Sequence, residues 1–423
     1  MVDRKKRYLL SFLIVRTFSL FLILLNSYFR KLLNYLEDTG GIRMSNVTLP
    51  GTTGVRNRIL GHASRLEYSW KRGEVSTSAP VCIEIHPTNR CNLKCVFCSY
   101  NDIRQGEYLP VPAFRDLVTD LINCTPTVKS VILSGGGEPS VHPYFSEAVH
   151  RLVDAGIEVG VITNGVLLTE KIKQAYLKCS WIRISIDVPW EETYVRLMSP
   201  HKPENFKQVI KNCKILSDER RRLNQDWPTI GLAYIMTKDS QSDEAFFKCI
   251  DIGVESKADY IMYRALLDLE SEQITRPLSE LRELLPKLEK YANNVGMPHQ
   301  FEHFLNEFNQ NSQKHVPTHL KECPIVQDGI YAYVAATGDV VPCYAIYKEL
   351  MDDEWKYGNI KDMSFNEIWN SKLREEVIKR INASACPFCH FQVQNKILSE
   401  IDEKYAVNVE KEIQMEDIHW KFL

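Results

Sequence analysis

Three cysteines within eight residues constrain this chain more than any other feature of its sequence. Cys91, Cys95 and Cys98 follow the short apolar segment 81–85 and precede the first helical pattern. A loop this tight cannot pair all three thiols as disulfides, and an odd number leaves one sulfur over. Three converging thiolates can instead share one soft-metal site, either a zinc knuckle or an iron–sulfur centre. Both take four ligands, so the fourth comes from elsewhere or the position stays open, as a catalytic site requires.

The composition indicates an ordinary globular protein with one large and one smaller domain. The chain has 423 residues, and the formal net charge of −2 gives no general attraction to nucleic acid or anionic membranes. RNA modification is therefore disfavoured, and no nucleic-acid partner is expected. Seven of the 12 cysteines form two metal-like sets. The remaining five are expected to be reduced and buried in a cytoplasmic protein, and they are Cys82, Cys124, Cys179, Cys213 and Cys249.

Short apolar segments alternate with amphipathic helical patterns from residue 81 to residue 275. Six strand–helix units predict an α/β fold with a parallel sheet, as an open doubly wound sheet or a partial barrel. Several strands end in a glycine-rich or polar cluster, at the edge where such sheets place their active sites. The predicted strands are 81–86, 130–133, 158–162, 181–184, 229–235 and 260–263.

The cysteine spacing C-x3-C-x2-C, with Phe97 before the last cysteine, resembles the cluster loop of the radical S-adenosylmethionine (SAM) superfamily. In that family, three cysteines hold three irons of a [4Fe–4S] cluster, and the amino and carboxylate groups of SAM chelate the fourth. Reductive cleavage of SAM yields a 5′-deoxyadenosyl radical that abstracts a hydrogen atom. The resemblance implies a partial (β/α)6 TIM-like barrel, and it implies that Cys91, Cys95 and Cys98 bind the cluster.

The same resemblance implies a set of SAM contacts at the strand ends. The segment from Gly135 to Pro139 is similar to the motif for the SAM amino group, although a glycine run is usually just a turn. A plain turn and a ligand contact remain equally open for Asn164, as do a solvated helix arginine and a SAM-carboxylate contact for Arg196. Ser185 and Asp187 alternate with apolar residues, so both polar groups can point one way at the strand end, and they resemble the family's ribose-binding strand. Arg264 is a second candidate for SAM or for the substrate. The implied cofactor-binding residues are Phe97, Gly135, Gly136, Gly137, Glu138, Pro139, Asn164, Ser185, Asp187, Arg196 and Arg264.

A second cysteine set lies in the C-terminal third of the chain. Cys323, Cys343, Cys386 and Cys389 can form a complete four-thiolate site, zinc or [4Fe–4S], with no open position. A hairpin with its turn at Gly338 precedes Cys343. The pattern resembles a twitch domain, the shortened form of the SPASM extension, and implies one auxiliary [4Fe–4S] cluster. We expect a small α+β domain at 321–391, after a linker at 276–320 and before a helical tail at 392–423.

The N-terminal region contains the one apolar run of membrane length, residues 8–25. Arg16 near its centre would cost roughly 2.5–3.5 kcal/mol in a membrane span, and export would oxidise an oxygen-sensitive cluster. Two interpretations of the extension 1–43 remain open. It is a membrane-associated helix of a cytoplasmic protein, or it lies upstream of a true start at Met44. Residues 44–80 form a polar lead-in with one short helical candidate.

These patterns predict a radical SAM enzyme of the oxidoreductase or isomerase type. We expect it to oxidise or epimerise a small polar substrate, a carbohydrate or natural product, with help from the auxiliary cluster. Modification of a peptide or protein is the alternative. A non-catalytic zinc-binding module is a more distant one, and it leaves the segment 135–139 unexplained. A reducing partner such as flavodoxin or ferredoxin is expected.

Overall fold

The computed structural model describes residues 52–100, 106–266, 270–305, 320–344, 353–386, 389, 391–401, 410, 413–414, 419 and 421–422. The predicted N-terminal extension 1–43, its apolar run 8–25 and most of the tail after residue 401 lie outside them. None of the helices in the described ranges is long and apolar enough to span a membrane.

Six parallel strands form the core of the fold, which confirms the predicted α/β partial barrel. Each strand pairs with the next along the chain, so that Ile85 lies opposite Leu133 and Tyr234 lies opposite Tyr263. All six carboxyl ends therefore meet at one edge. The strands are β1 (Cys82–Ile85), β2 (Ser130–Leu133), β3 (Glu158–Thr163), β4 (Trp181–Asp187), β5 (Thr229–Met236) and β6 (Tyr260–Ala265).

Amphipathic helices connect the strands and cover the sheet. In α3 (Phe145–Asp154), residues at helical spacing are buried against the sheet, including Phe145, Val149 and Leu152. Side-chain caps start other helices; for example, the Thr169 hydroxyl accepts a hydrogen bond from the Ile172 N–H at 3.3 Å. The helices are α1 (Thr52–Leu60), α2 (Val111–Asn123), α3 (Phe145–Asp154), α4 (Glu170–Tyr176), α5 (Glu191–Leu197), α6 (Asn205–Arg222) and α7 (Asp243–Ser256).

Residues 278–300 of the predicted linker pack against the edge of the barrel, beside α7 and β6. Helix α8 (Leu278–Val295) packs beside α7. The Ile261 N–H then donates to the Pro298 carbonyl, and the Gln300 N–H donates to the Ile261 carbonyl, both at 2.9 Å. Residues 298–300 thus add a short parallel pairing to the outer side of β6.

The C-terminal domain extends the barrel sheet, which the sequence analysis did not foresee. Strand β7 (Tyr331–Val334) is fully buried and pairs in parallel with β1, so β1 lies between β2 and β7. Strands β8 (Asp339–Val341) and β9 (Gly358–Asn359) follow in antiparallel pairing, and complete a nine-stranded sheet. This pairing leaves β1 without an exposed edge. The remaining helices are α9 (Pro324–Gln327), α10 (Phe365–Trp369), α11 (Lys372–Arg380) and α12 (Gln392–Glu400).

The lead-in before β1 packs against this C-terminal domain. The Asp328 carboxylate accepts hydrogen bonds from the backbone N–H groups of Tyr68 and Ser69, at 3.0 and 2.6 Å. The buried guanidinium of Arg374 stacks 3.8 Å from the Trp369 ring and donates to the carbonyl of residue 76. These buried contacts join the lead-in to the domain at the other end of the chain.

Residues near the C-terminus close the amino end of the barrel. The Lys421 ammonium pairs with the Glu158 carboxylate at 2.8 Å, and the Phe422 ring meets the Trp181 ring edge-on at 5.4 Å. Glu158 and Trp181 are the first residues of β3 and β4, at the end opposite the predicted motifs.

Candidate active site

The loop that carries the first cysteine set lies at the carboxyl end of β1. The Val96 N–H donates to the Leu197 carbonyl at 2.8 Å, so the end of α5 holds the loop in place. Phe97, predicted to contact the cofactor, is 8% exposed and packs in the hydrophobic core. The structure therefore makes Phe97 an anchor of the loop, while the thiols of Cys91, Cys95 and Cys98 stay half-buried.

Nitrogen donors surround the first thiol of this set. The Cys91 sulfur accepts hydrogen bonds from the Leu93 N–H at 3.4 Å and from the Asn164 amide at 3.7 Å. Asn164 also donates to the Asn92 side chain at 2.7 Å. Hydrogen bonds to sulfur are one of the means by which proteins tune iron–sulfur centres. The structure thus brings the predicted residue Asn164 to the cysteine loop.

The three glycines are needed because they pack against the cysteine loop. A Cβ on Gly136 would lie 2.4 Å from the Asn89 side-chain oxygen and 2.7 Å from the Tyr100 ring. A Cβ on Gly137 would lie 2.1 Å from the Arg90 carbonyl oxygen, and Gly135 is less crowded, at 3.1 Å from the nearest atom. The close neighbour at Gly136 and Gly137 is therefore the chain itself, and the contact of this segment with SAM stays a prediction.

We expect Gly137→Ala to lose iron at the first cysteine set, because the backbone just before Cys91 must move to admit the methyl group. Overpacking of this kind costs roughly 1–3 kcal/mol. Gly156→Ala is the matched control, since Gly156 has a φ of +82° with nothing within 4 Å of the added Cβ. It should lose roughly 1–2 kcal/mol of stability and keep its iron. Iron per chain and melting temperature measure both effects, and full iron retention in Gly137→Ala would contradict this account.

Glu138 joins the glycine segment to the end of β3. Its buried carboxylate accepts hydrogen bonds from the Thr163 hydroxyl at 2.8 Å, the Asn164 N–H at 2.7 Å, and the Ser140 hydroxyl at 2.6 Å. Burial raises the pKa of Glu138, and these hydrogen bonds oppose the rise. Both carboxylate oxygens therefore accept hydrogen bonds from neighbouring loops, and a contact of Glu138 with SAM stays a prediction. Pro139 follows in a buried 3-10 turn.

A bulge interrupts β4 between the two predicted ribose-binding residues. Ser185 pairs with Ala233, whereas Asp187 pairs with the very next residue of β5, Tyr234. Asp187 also has a φ of 62°, in the left-handed region that aspartate tolerates better than most residues. Strand alternation therefore no longer implies that Ser185 and Asp187 share a direction. Burial raises the pKa of Asp187 to about 7, with Arg183 and Arg264 acting in the opposite sense.

The two predicted arginines have different surroundings. Arg196 lies on α5, is about half exposed, and forms ion pairs with Asp239 and Glu272, the latter at 3.3 Å. This arrangement favours a solvated helix arginine over a residue reserved for the SAM carboxylate. Arg264, in contrast, lies at the end of β6 and lines a cavity.

That cavity has a volume of about 400 Å³ and lies inside the barrel beside Gly135. Alternate residues of the strands point into it, as expected for inward-facing positions. Its lining is unusually polar for a barrel interior, which branched apolar side chains generally fill. The polar and charged lining residues include Arg58, Glu84, His86, Ser134, Arg183 and Arg264.

One wall of the cavity is a hydrogen-bonded network that the sequence analysis missed. His86 contacts the Glu84 carboxylate through Nε2 at 3.1 Å and the Tyr333 hydroxyl through Nδ1 at 2.7 Å. The hydroxyls of Tyr331 and Ser134 donate to the same carboxylate, at 2.6 and 2.5 Å. Burial opposes ionisation, yet these hydrogen bonds hold the pKa of Glu84 at about 2. The alternation of Glu84 and His86 in β1 was a usable signal; their tyrosine partners on β7 were not predictable.

The second cysteine set also gathers around an asparagine. The amide of buried Asn395 on α12 donates to the sulfurs of Cys323 at 3.5 Å and Cys389 at 3.8 Å. Burial, and then the neighbouring thiols of Cys343 and Cys389, raise the pKa of Cys323. Cys386 lies close enough to Cys389 for its pKa to rise as well, after the larger effect of burial. The structure thus brings these predicted residues together.

We expect Asn395→Leu to weaken the second site selectively, because it removes the N–H donors to two sulfurs. Residues that orient metal ligands are typically worth roughly 10- to 100-fold in metal affinity. Iron retained after exposure to a chelator measures the effect, with circular dichroism to check folding. Asn370→Leu, at an exposed asparagine of the same domain, is the control and should retain its iron. Equal retention in both variants would show that Asn395 has no such role.

Comparison with known proteins supplies the context for these two sites. A family model described as the radical SAM superfamily matches residues 85–223, and one described as an iron–sulfur cluster-binding domain, SPASM, matches residues 323–390. The tungsten-containing aldehyde ferredoxin oxidoreductase cofactor-modifying protein of Pyrococcus furiosus is 26% identical, over 67% of this chain and 79% of that protein. The AdoMet-dependent heme synthase of Methanosarcina barkeri is 24% identical, over 75% and 90%.

A solved structure shares the fold. Streptococcus suis SuiB bound to S-adenosylmethionine aligns with a TM-score of 0.53 and 18% identity, covering 72% of this chain and 68% of that one. The same protein bound to the precursor peptide SuiA aligns with a TM-score of 0.53 and 17% identity, over 73% and 69%. At this identity the likeness shows the fold alone.

The two matching families imply S-adenosylmethionine, a [4Fe–4S] cluster at the first site and an auxiliary cluster at the second. The residues present fit those groups, since half-buried thiols with N–H donors occur at both. Within the described residues, no three His, Cys, Asp or Glu side chains are gathered tightly enough to hold a single metal ion. The cluster assignment therefore rests on the family matches and the chemistry of the donors.

Proposed function

Because this chain is a member of the radical SAM superfamily with a C-terminal SPASM-like iron–sulfur domain, we propose that it modifies a small polar molecule bound inside the barrel. The observation that carries this proposal is the polar cavity of about 400 Å³ beside the glycine segment. A site of this size and concavity is typical of small-molecule binding. The cavity also adjoins the residues that hold the cysteine loop, so substrate and cofactor would meet there.

Each part of the site has a separate task in this proposal. Cys91, Cys95 and Cys98 would hold the first cluster, and the glycine segment, Ser185 and Asp187 would line the SAM site. When bound, cluster and SAM would supply a radical that abstracts a hydrogen atom. Glu138 holds the glycine segment against the end of β3 through its hydrogen bonds. The network around Glu84 and His86 would form one polar wall of the site, in which hydrogen bonds between the side chains fix their positions.

The second cysteine set would hold one auxiliary cluster. Four thiolates leave no open position, so direct substrate binding to that cluster is disfavoured. Support for an electron-transfer or pocket-shaping role comes from the pairing of β7 with β1, which joins the two sites through one sheet. A one-electron reductant such as flavodoxin or ferredoxin would serve the first cluster.

The substrate class is best described as a cofactor or its precursor. Two of the relatives that match most of the chain are named for modifying a cofactor and for making heme. A third, the mycofactocin maturase MftC of Mycolicibacterium smegmatis, is 23% identical over 77% of this chain. None of these names supports a carbohydrate in particular. Oxidation and epimerisation, the reactions suggested by the sequence, both begin with removal of a hydrogen atom, and both are compatible with the cavity.

Peptide modification is the second candidate. Support for it comes from the shared architecture with SuiB, whose structure was solved with a precursor peptide. A peptide would have to place one side chain in the cavity while most of its length stayed outside. The residues lining the cavity would then recognise that side chain.

Fractionated extracts of the source organism test the proposal. The reconstituted protein would be incubated anaerobically with dithionite, SAM and either a small-molecule or a peptide fraction, and mass spectrometry would identify what changes. We expect a change in the small-molecule fraction that is absent with Cys95→Ala. A change confined to the peptide fraction would favour the second candidate, and no change in either would contradict both.

A further inference from the structure

Arg183 is a charged residue in an unusual place. It lies in the middle of β4, pairs there with Gly231 of β5, and points into the barrel cavity. Apolar branched side chains generally fill such interiors. A guanidinium cannot lose its charge at neutral pH, because its pKa is far above that range. A positive charge at this position therefore needs a partner.

The described residues supply no carboxylate partner for Arg183. None lies within salt-bridge distance of it, and its guanidinium donates to the Met262 sulfur at a long 4.0 Å. Burial, followed by the nearby charge of Arg264, lowers the pKa of Arg183. Arg183 is partly accessible, where it lines the cavity, and charges enclosed in this way are normally paired or bound to a counter-ion. No carboxylate of the described residues therefore serves as the counter-ion of Arg183.

The described lining of the cavity contains more arginines than carboxylates. Arg58 and Arg264 line the same cavity, and Glu84 is the one carboxylate among its described lining residues. Glu84 already accepts hydrogen bonds from three side chains. Asp187 lies within electrostatic reach of Arg183 and Arg264, but its own burial raises its pKa to about 7. Arginines therefore outnumber carboxylates three to one in the described lining, and Arg183 itself has no carboxylate of the described residues within salt-bridge distance.

We propose that the substrate carries an anionic group, a carboxylate or a phosphate, and that Arg183 binds it within the barrel. The planar guanidinium fork matches either group with two parallel hydrogen bonds. Arg264 adds a second positive charge on the far side of β5. This inference deepens the proposed function and rests on it.

The carboxylate of SAM is the competing occupant. It would have to lie near the first cluster, at the carboxyl end of the sheet. Arg183 precedes Ser185, the proposed ribose contact, by two positions on β4, and so lies one layer deeper in the barrel. That depth favours the substrate over SAM as the anion.

The first experiment measures anion binding and does not depend on turnover. The melting temperature of the reconstituted protein would be followed with citrate and with inorganic pyrophosphate, as carboxylate and phosphate probes. We expect at least one probe to raise the melting temperature of the wild type and of Arg222→Gln, a surface control with the same charge change. The shift should vanish in Arg183→Gln. A wild type that responds to neither probe, or an Arg183→Gln variant that responds fully, would overturn the assignment.

The second experiment uses the extract fraction that supports product formation. We expect its active component to be retained on an anion exchanger, and phosphatase treatment or esterification of carboxylates to show which group it carries. Arg183→Gln should raise its KM by about 30-fold or more, while SAM cleavage measured without the fraction stays at the wild-type rate. Arg183→Lys should restore part of the loss, and circular dichroism would confirm that both variants fold.

These outcomes separate the inference from the proposed function. Loss of SAM cleavage in a folded Arg183→Gln variant would assign the arginine to SAM and overturn the inference. A substrate that passes through the anion exchanger would overturn it too. A wild type that produces no 5′-deoxyadenosine would instead contradict the proposed function, and the melting-temperature experiment would still decide whether Arg183 binds anions.

Discussion

A variant with Cys91, Cys95 and Cys98 all replaced by alanine is expected to release no 5′-deoxyadenosine and to keep about half of the wild-type iron. The set has three thiols and no spare, and the next cysteines along the chain, such as Cys124, are buried in the core. Without the first cluster there is no open iron to bind SAM. Iron per chain and chromatographic quantification of 5′-deoxyadenosine measure both effects.

Cys124→Ala is the control for this experiment. Cys124 is buried, belongs to neither set, and contacts the Asn366 side chain at 3.3 Å. Its replacement should leave iron content and SAM cleavage unchanged. Full iron content in the triple variant, or zinc with no iron retained after anaerobic reconstitution, would overturn the assignment of the first site and favour a zinc-binding module.

A variant with Cys386 and Cys389 both replaced by alanine is expected to keep about half of its iron as well, with the opposite pattern of activity. SAM cleavage should persist, because the open position belongs to the first site. Product formation should fail, because the auxiliary cluster supports the substrate step in this proposal. The ratio of product to 5′-deoxyadenosine measures the uncoupling, and a wild-type ratio would contradict the role of the second site.

Loss of folding is the main confounder for the variant with Cys386 and Cys389 replaced, for two structural reasons. A cluster that closes a small domain contributes folding energy. Strand β7 of that domain pairs with β1, which leads directly into the first cysteine loop. Unfolding of the C-terminal domain would therefore also disturb β1 and the first cysteine loop. Circular dichroism and melting temperature of the same samples separate lost folding from lost function.

Local patterns predicted the strands and helices well, because each depends on neighbours in sequence. Strand β2 was predicted at its observed bounds, and the other strands of the barrel lie within three residues of their predicted ends. Apolar runs bounded by turn residues carry that information directly. The glycine segment and the cysteine loop were also recognisable, since their spacing is local.

Long-range contacts escaped prediction for a physical reason. Nothing in the run of Tyr331 to Val334 indicates that its pairing partner is β1, far away in sequence. The same limit applies to the partners of Glu138 and to Asn395 at the second cysteine set. The ion pairs of Arg196 likewise involve loops that the sequence could not place beside α5.

The inward orientation of Arg183 differs from these long-range contacts, because the sequence contained a local pattern that could have predicted it. It alternates with Trp181 and Ser185 along β4, and these positions share one face of a regular strand. The charge itself concealed this, since an arginine in a strand usually reaches solvent. The polar barrel interior became apparent only when Arg58, Glu84 and Arg264 were found around the same cavity.

The amount of 5′-deoxyadenosine released by the wild-type protein tests the central claim most directly. The protein would be reconstituted with iron and sulfide, then incubated anaerobically with dithionite and SAM, with and without the small-molecule fraction. We predict release of 5′-deoxyadenosine that rises when the fraction is added and that requires both reductant and SAM. A protein that holds its iron at both sites and still releases none under these conditions would contradict the account.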